Sequence, residues 1–350
     1  MKILFDAMGG DNAPDANIKG AINAAKKIDG EIILLGKESL LKERIRTIYS
    51  KELSDLAPNI SIVNTTETIE MDDVPTVAIK TKKDSSMVVG FRMLKDGEAD
   101  AFVSAGNSGA LLTGATLLVG RIKGIDRPAL AGILPVDGKG MVLMDSGANT
   151  NCRPINLLQF AVMANVYIKN TFNIPSPKIA LLNNGTEETK GNELMKESYK
   201  LIKENAEKYN IDFVGNIEGR DVFAGSIDGL ITDGWTGNIF LKGIEGVGKL
   251  VKKTLSDSLK QNIFTKIGAI GALPALKQLA SKLDYKEYGG ALFLGVKKPI
   301  VKAHGSSDAY VFEKTLLQAK KFVDNNMVDK ITKEIETMHD GNFIKKLLTK

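Results

Sequence analysis

Residues 2–35, KILFDAMGGDNAPDANIKGAINAAKKIDGEIILL, hold one complete repeat of the pattern that decides the fold. Lys2–Asp6 is a short apolar strand that runs into a Gly-Gly turn. A helical spacing of apolar residues follows from about Asp15 to Ile28. Glu31–Leu35 is apolar again, with β-branched residues and no helical period. A strand, a helix and a second strand joined by short turns predict a βαβ unit with parallel strands.

The same alternation continues outward. A charged helix is expected around Ser39–Ser50 and a strand at Ile60–Val63. Further strands are expected at Ala101–Ser104, Leu130–Leu134, Met141–Asp145, Lys178–Leu182, Asp212–Val214 and Gly229–Ile231. Gly, Pro and Asn clusters separate them. The fold class is therefore α/β, Rossmann-like, with a mainly parallel sheet covered by helices on both faces. No repeat and no low-complexity linker divides the chain. A single two-lobed unit over 1–350 fits better than two separate domains.

Composition narrows the function classes. The 350 residues include 47 Lys+Arg and 42 Asp+Glu, a formal net charge of +5. At 43% hydrophobic and 25% charged, the chain is ordinary for a globular protein and not disordered. One cysteine, Cys152, excludes an intrachain disulfide framework and a Cys-rich zinc site. Two histidines, His304 and His339, leave no His-rich metal motif, so no metal and no metal ligands are expected. The lysines are dispersed along helical stretches and aromatics are sparse, which argues against a nucleic-acid partner. The uncharged run Ala101–Gly120 is long enough to cross a bilayer but holds four glycines and a turn at Ser104–Ser108. It reads as strand, turn and buried helix. With no secretory signal visible at the start, a cytoplasmic protein is expected.

In open α/β sheets ligands gather at the carboxyl ends of strands, so the turns there carry the chemistry. The first is Asp6-Ala-Met-Gly9-Gly10-Asp11-Asn12, where glycines allow close backbone approach. Ser104-Ala-Gly106-Asn107-Ser108 offers backbone N–H groups at a helix start, suited to an anion. Asp145-Ser-Gly-Ala-Asn149 repeats that logic, as does Asn183-Asn-Gly185 with Lys190 close behind. Two more turns are Asp233-Gly-Trp-Thr-Gly-Asn238 and His304-Gly-Ser306-Ser307-Asp308. Any one of them has an ordinary structural explanation in turn formation and capping. Six together are a stronger signal than any one of them and argue against a purely structural role for all.

Other motifs are near misses. Gly243–Lys249 fits the spacing of a phosphate-binding loop, but Leu250 replaces the Ser/Thr that would hold Mg²⁺. No GxGxxG follows the first strand and no GxSxG is present. Cys152, beside Arg153, is a candidate nucleophile only in the absence of other thiols. The stretch 237–282 departs from the alternation and predicts an amphipathic helical hairpin. Its uncharged segment Ile267–Leu276 is expected to form a Gly/Pro-containing tip, flanked by Lys252, Lys253, Lys260, Lys266, Lys277 and Lys282. Such a tip is either buried or a peripheral contact with an anionic lipid surface.

The ordered series DAMGGDNAP, VSAGNSGALL, GRIKGIDRPAL, DSGAN, LLQFAVMAN, EETKGNELMKE, NIEGRDVFAG, DGWTGNIFLK, LDYKEYGG and AHGSSDA resembles the bacterial phosphate acyltransferases of phospholipid synthesis, the PlsX family. The resemblance runs from Met1 to about Ala319. In that family the position of Asn12 is often His and that of Ser146 is often β-branched. The resemblance implies a fold related to phosphotransacetylases and isocitrate/isopropylmalate dehydrogenases. It implies transfer of a long-chain acyl group from acyl carrier protein to inorganic phosphate, with no cofactor. It also implies a homodimer, reversibly attached to the inner face of the cytoplasmic membrane through Ile267, Ile270, Leu273 and Leu276.

Phosphate is itself a nucleophile, so positioning and oxyanion stabilisation are what such a site must supply. Lys190, His304, Asn107 and Asn149 are the candidate catalytic residues. Asp6, Gly9, Gly10, Asp11, Gly106, Ser108, Gly185, Asn238, Ser306, Ser307 and Asp308 are the candidate substrate-binding ones. Three alternatives stay open: a phosphate acetyltransferase using coenzyme A, a nicotinamide-dependent decarboxylating dehydrogenase, and a non-catalytic membrane scaffold.

Overall fold

The computed structural model describes residues 1–136, 139–283 and 289–339; side chains of 277–288, which include most of the Leu283–Gly290 motif, lie outside the description, as do those from 338 onward. In chain order the strands are β1 (Lys2–Asp6), β2 (Glu31–Gly36), β3 (Ile60–Asn64), β4 (Ala101–Ser104), β5 (Ala129–Val136), β6 (Lys139–Met144), β7 (Lys178–Asn183), β8 (Asp212–Glu218), β9 (Gly229–Ile231), β10 (Ala291–Leu294) and β11 (Ile300–Lys302). The helices are α1 (Asp15–Ala25), α2 (Glu38–Tyr49), α3 (Leu53–Leu56), α4 (Pro75–Thr81), α5 (Ser86–Asp96), α6 (Ser108–Gly114), α7 (Pro154–Phe172), α8 (Glu193–Asn205), α9 (Gly234–Lys260), α10 (Ile263–Leu283), α11 (Ala309–Asp324) and α12 (Met327–His339).

All eleven strands join one sheet in the order β3-β2-β1-β4-β11-β10-β5-β6-β9-β7-β8. The first βαβ unit pairs as its sequence requires, Ile3 opposite Ile32 and Phe5 opposite Leu34 in parallel register. Both faces are covered. Ile3, Phe5, Val103 and Val301 point into a core with α1, α7 and α11, while Leu4, Phe102 and Ile300 point into a second core with α5 and α6. This alternation is the period-2 consequence of a fully buried parallel strand.

One feature was not expected from the sequence. β10 is antiparallel to both β11 and β5, and β5 is antiparallel to β6. Strand direction thus reverses across the middle of the sheet. β1, β2, β3, β4 and β11 end at one edge, whereas β6, β9, β7 and β8 end at the opposite edge. The six glycine-rich turns are divided between those edges, and α9 runs from the turns after β6 and β9 to the turn after β11, with Asn238 over Gly147 and Lys242 against His304.

The expected hairpin is present as α9 and α10, but its turn lies at Gln261–Asn262. Ile267–Leu276 is not a tip. It forms the interior of α10, with Pro274 inside the helix. The Asn262 side chain and the Thr265 N–H (3.0 Å) restart the helix, so the polar pair, not the apolar run, makes the bend.

Candidate functional site

At the first edge, the turns after β1, β4 and β11 are packed into one another. Asp6 is buried and its Oδ2 accepts the Ser104 hydroxyl at 2.7 Å, while Oδ1 accepts the Met8 N–H at 3.1 Å. Ser104 Oγ in turn accepts the Gly106 N–H at 3.0 Å. Burial pushes the Asp6 carboxyl above its usual range, against the pull of these donors. A side chain at Gly9 would stand 2.7 Å from the Gly106 nitrogen, so glycine is required there for one turn to approach another. The expected role of Gly9 and Gly106, a backbone cradle open to a ligand, is therefore corrected: the Gly106 N–H is already bonded inside the protein.

The turn after β11 completes this edge. The Asp11 N–H donates to the Gly305 carbonyl at 2.8 Å, and the Asn12 amide donates to the Ser307 carbonyl at 3.1 Å. Asp308 caps α11 by accepting the Val311 N–H at 3.0 Å. His304 Nδ1 accepts the Ser306 N–H at 3.2 Å, which leaves the proton of the neutral ring on Nε2. That Nε2 faces Lys242 Nζ at 3.1 Å and the Glu245 carboxylate at 3.9 Å. Burial and the Lys242 charge hold His304 below the ordinary imidazole range, so the ring is neutral near pH 7.

Lys302, two residues before His304, was not singled out from the sequence, and neither were Lys242 and Glu245. Side chains at 300, 302 and 304 share a sheet face, and Lys302 pairs in register with Ser104. Burial, then the Lys242 charge, pulls the Lys302 ammonium down to about 8. The available signal was a lysine inside the apolar run Pro299-Ile-Val-Lys-Ala303, with His304 next on the same face. Lys242 and Glu245 are one turn apart on α9 and bonded to each other at 2.8 Å.

At the opposite edge the carboxylate of Asp145 is saturated. It accepts from the N–H groups of Leu130, Gly147, Ala148 and Asn149 and from the Asn149 amide, at 2.7–3.1 Å. The root of α9 is pressed onto this turn. Gly234 N–H donates to the Asn149 carbonyl at 2.7 Å, and a side chain on Gly237 would stand 2.0 Å from the Asp145 carbonyl oxygen. Asn238 packs over Gly147.

Among the expected catalytic residues, two amides are committed elsewhere. Asn107 caps α6 through its oxygen, and its amide donates to the carbonyls of Glu70, Met71 and Asp73 at 3.0–3.2 Å. Asn149 gives its two protons to Pro128 and Asp145. Neither has a proton left for an oxyanion. Ser108 is exposed beside Asn107. Lys190 is exposed and folded over Gly185, in the turn after β7. Burial pushes the Cys152 thiol up to about 12, with Asp145 adding to the effect, which disfavours the nucleophilic thiolate. Among the described residues no group of His, Cys, Asp and Glu could hold a metal ion.

The fold, a mostly parallel sheet with a reversal of strand direction and helices on both faces, is shared with phosphotransacetylases. The Streptococcus pyogenes phosphotransacetylase structure superposes with a TM-score of 0.56 at 17% identity, covering 97% of this chain and 94% of that one. A 4-hydroxythreonine-4-phosphate dehydrogenase from Klebsiella pneumoniae superposes with a TM-score of 0.50 at 10% identity, over 92% of this chain and 99% of that one. Those likenesses concern the fold alone.

Within that class the chain belongs to the family described as fatty acid synthesis protein, whose model matches residues 1–330. The phosphate acyltransferase of Thermoanaerobacter pseudethanolicus is 48% identical over 341 residues, covering 97% of this chain and 99% of that one.

Proposed function

We propose that the protein is an acyltransferase that moves a long-chain acyl group from acyl carrier protein to inorganic phosphate, giving acyl phosphate for phospholipid synthesis. The observation that carries this reading is the 48% identity with a phosphate acyltransferase along essentially the whole length of both chains. The cationic edge supports it, since an anionic acceptor and a developing oxyanion both call for preorganised donors.

In this reading a phosphate oxygen attacks the thioester carbonyl carbon. The C–S bond then breaks, and the carrier thiol and acyl phosphate depart. No enzyme nucleophile is needed, which agrees with the disfavoured Cys152 thiolate. Neutral His304 presents its Nε2–H as the donor to the carbonyl oxygen or to the departing sulfur; such a donor supplies about 2.7–4 kcal/mol in the transition state. Asp11, Gly10, Ser306, Ser307 and Asp308 shape this end. The test is phosphate-dependent release of thiol from acyl-acyl carrier protein, with the product trapped by hydroxylamine. Equal turnover of acetyl-coenzyme A favours the acetyltransferase instead. A nicotinamide-dependent absorbance change with a hydroxy acid favours the dehydrogenase. No turnover by pure protein favours the scaffold.

We also propose a homodimer that attaches to the inner face of the cytoplasmic membrane through the α9–α10 pair. Val247, Leu250, Phe264, Ile267, Ile270 and Leu273 are exposed there, Phe264 by 82%. An apolar surface of this extent calls for a covering partner or lipid. No helix among the described residues is long and apolar enough to cross a membrane, so the contact is peripheral. Ile270→Asp with Leu273→Asp is expected to abolish sedimentation with anionic vesicles while soluble acyl transfer persists; undiminished vesicle binding would remove these residues from the contact.

A further inference from the structure

The end of β11 carries a cation, Lys302, that has no carboxylate in contact with it among the described residues. Lys302 is partly buried between β4 and β10. Its Nζ reaches only the Ala303 carbonyl, at a marginal 3.5 Å. The charges facing it come from α9: Lys242, which repels it, and Glu245, which attracts it. His304 lies on the same face and also feels Lys249. The one carboxylate in this group, Glu245, is already bonded to Lys242. Asp6, two strands away on the same face, is engaged with Ser104. His304 Nε2 and Lys242 Nζ lie within hydrogen-bond distance at 3.1 Å, and Lys242 also donates to Glu245 at 2.8 Å. In the same turn as His304, whose carbonyl accepts the Ser307 N–H at 3.0 Å, the Ser307 hydroxyl is buried and has no hydrogen-bond partner among the described residues. A small oxyanion seated here would meet the Lys302 ammonium and the unpartnered Ser307 hydroxyl.

We propose that Lys302 binds the attacking inorganic phosphate directly, with Lys242 donating to another of its oxygens. The assignment rests on phosphate being the acyl acceptor and adds no chemical step. Lys302 remains protonated while a phosphate oxygen attacks, and it offsets the charge that would otherwise keep a dianion out of a partly dry site. It also makes a pH prediction. With its ammonium drawn down to about 8, Lys302 is cationic below that pH and neutral above it. Phosphate affinity therefore falls as pH rises through about 8, a range in which the free ion is already a dianion and His304 is already neutral.

The experiment is titration of inorganic phosphate alone into the full-length protein by calorimetry, from about pH 7 to 9.5, with wild type, Lys302→Met and Lys302→Arg. Loss of a charge-assisted contact is expected to weaken phosphate binding by on the order of tenfold or more in Lys302→Met. The KM for phosphate is expected to rise by a similar factor while the KM for the acyl donor stays constant. Lys302→Arg keeps the charge, so it retains binding and loses the weakening above pH 8. Phosphate affinity in Lys302→Met within twofold of wild type overturns the assignment. If that variant does not fold, wild type decides: affinity that stays flat from about pH 7.5 to 9.5 overturns it equally. The two readings fail differently. Normal acyl phosphate formation with an unaltered phosphate KM in Lys302→Met removes Lys302 and leaves acyl transfer intact. Phosphate binding that depends on Lys302, in a protein that forms no acyl phosphate from any thioester, removes acyl transfer and leaves the site.

Discussion

The two edges of the sheet carry turns that look alike in sequence and behave oppositely in structure. Each begins with a buried aspartate and continues through small residues: Asp6-Ala-Met-Gly-Gly at one edge, Asp145-Ser-Gly-Ala-Asn at the other. At the second edge the Asp145 carboxylate is saturated by donors inside the protein, and the root of α9 packs onto its turn. At the first edge the backbone donors are also used, but side-chain cations are left over. What separates a binding edge from a structural one is thus not glycine content. It is whether charge remains after the internal hydrogen bonds have been made.

The sharpest way to break this contrast is to remove the carboxylate that closes the second edge. Asp145→Ala leaves four backbone N–H groups and one amide without their acceptor. At about 1–3 kcal/mol for each buried donor left unsatisfied, a loss of at least about 4 kcal/mol is expected in urea unfolding. That is a large fraction of the stability of an ordinary domain. A loss below about 1 kcal/mol would mean that the turn is open to solvent and not closed. The glycines of α9 supply a graded version. Gly237→Ala places a methyl 2.0 Å from the Asp145 carbonyl oxygen and is expected to cost about 3 kcal/mol; it also displaces Lys242 and Glu245 from His304. Gly243→Ala, six residues along the same helix, meets open space and is expected to gain up to about 1 kcal/mol from helix propensity.

The contrast between the edges also explains what was legible in the sequence. β1, β4 and β9 fall where apolar runs ended by turn residues put them, because strands buried on both faces have no competing periodicity. The reversal of direction was missed, since it is made by the antiparallel pairing of β5 with β6, and apolar runs alone do not show which way neighbouring strands point. The turn at Gln261–Asn262 was missed because Gly and Pro in 267–276 looked like the stronger breakers, yet α10 absorbs both. Lys302 was missed along with β11: a lysine stands out as buried only once its strand is recognised.

At the first edge the expected effect shifts from stability to rate. His304→Ala removes a partly exposed ring whose bonds are confined to its own turn and to α9. Stability is expected to change by less than about 1 kcal/mol, while turnover falls by about 10²–10⁴-fold. The pH profile gives an independent check. Because the folded ring is held below its ordinary value of 6.5, acidification protonates the unfolded chain first, so this residue's effect on stability turns unfavourable as pH falls through that range. Activity that depends on neutral His304 is retained at pH 6.5 and lost only further into acid. An acid limb above that value would assign the loss to another group.

The smallest effect is expected at Cys152, where it is also the most pointed. Its thiol touches the Asn149 carbonyl at 3.7 Å, within the saturated edge. Burial and the neighbouring charges of Asp145 and Asp233 disfavour the thiolate, and the Gly234 backbone offsets them only in part. At neutral pH the reactive form is therefore negligible. Cys152→Ser is expected to keep acyl transfer within about twofold, and iodoacetamide near pH 8 is expected to label the native protein far more slowly than the urea-unfolded chain. Rapid labelling that tracks loss of activity would place chemistry at the edge described here as closed. The distinction between the two ends of the sheet would then have to be drawn from something other than residual charge.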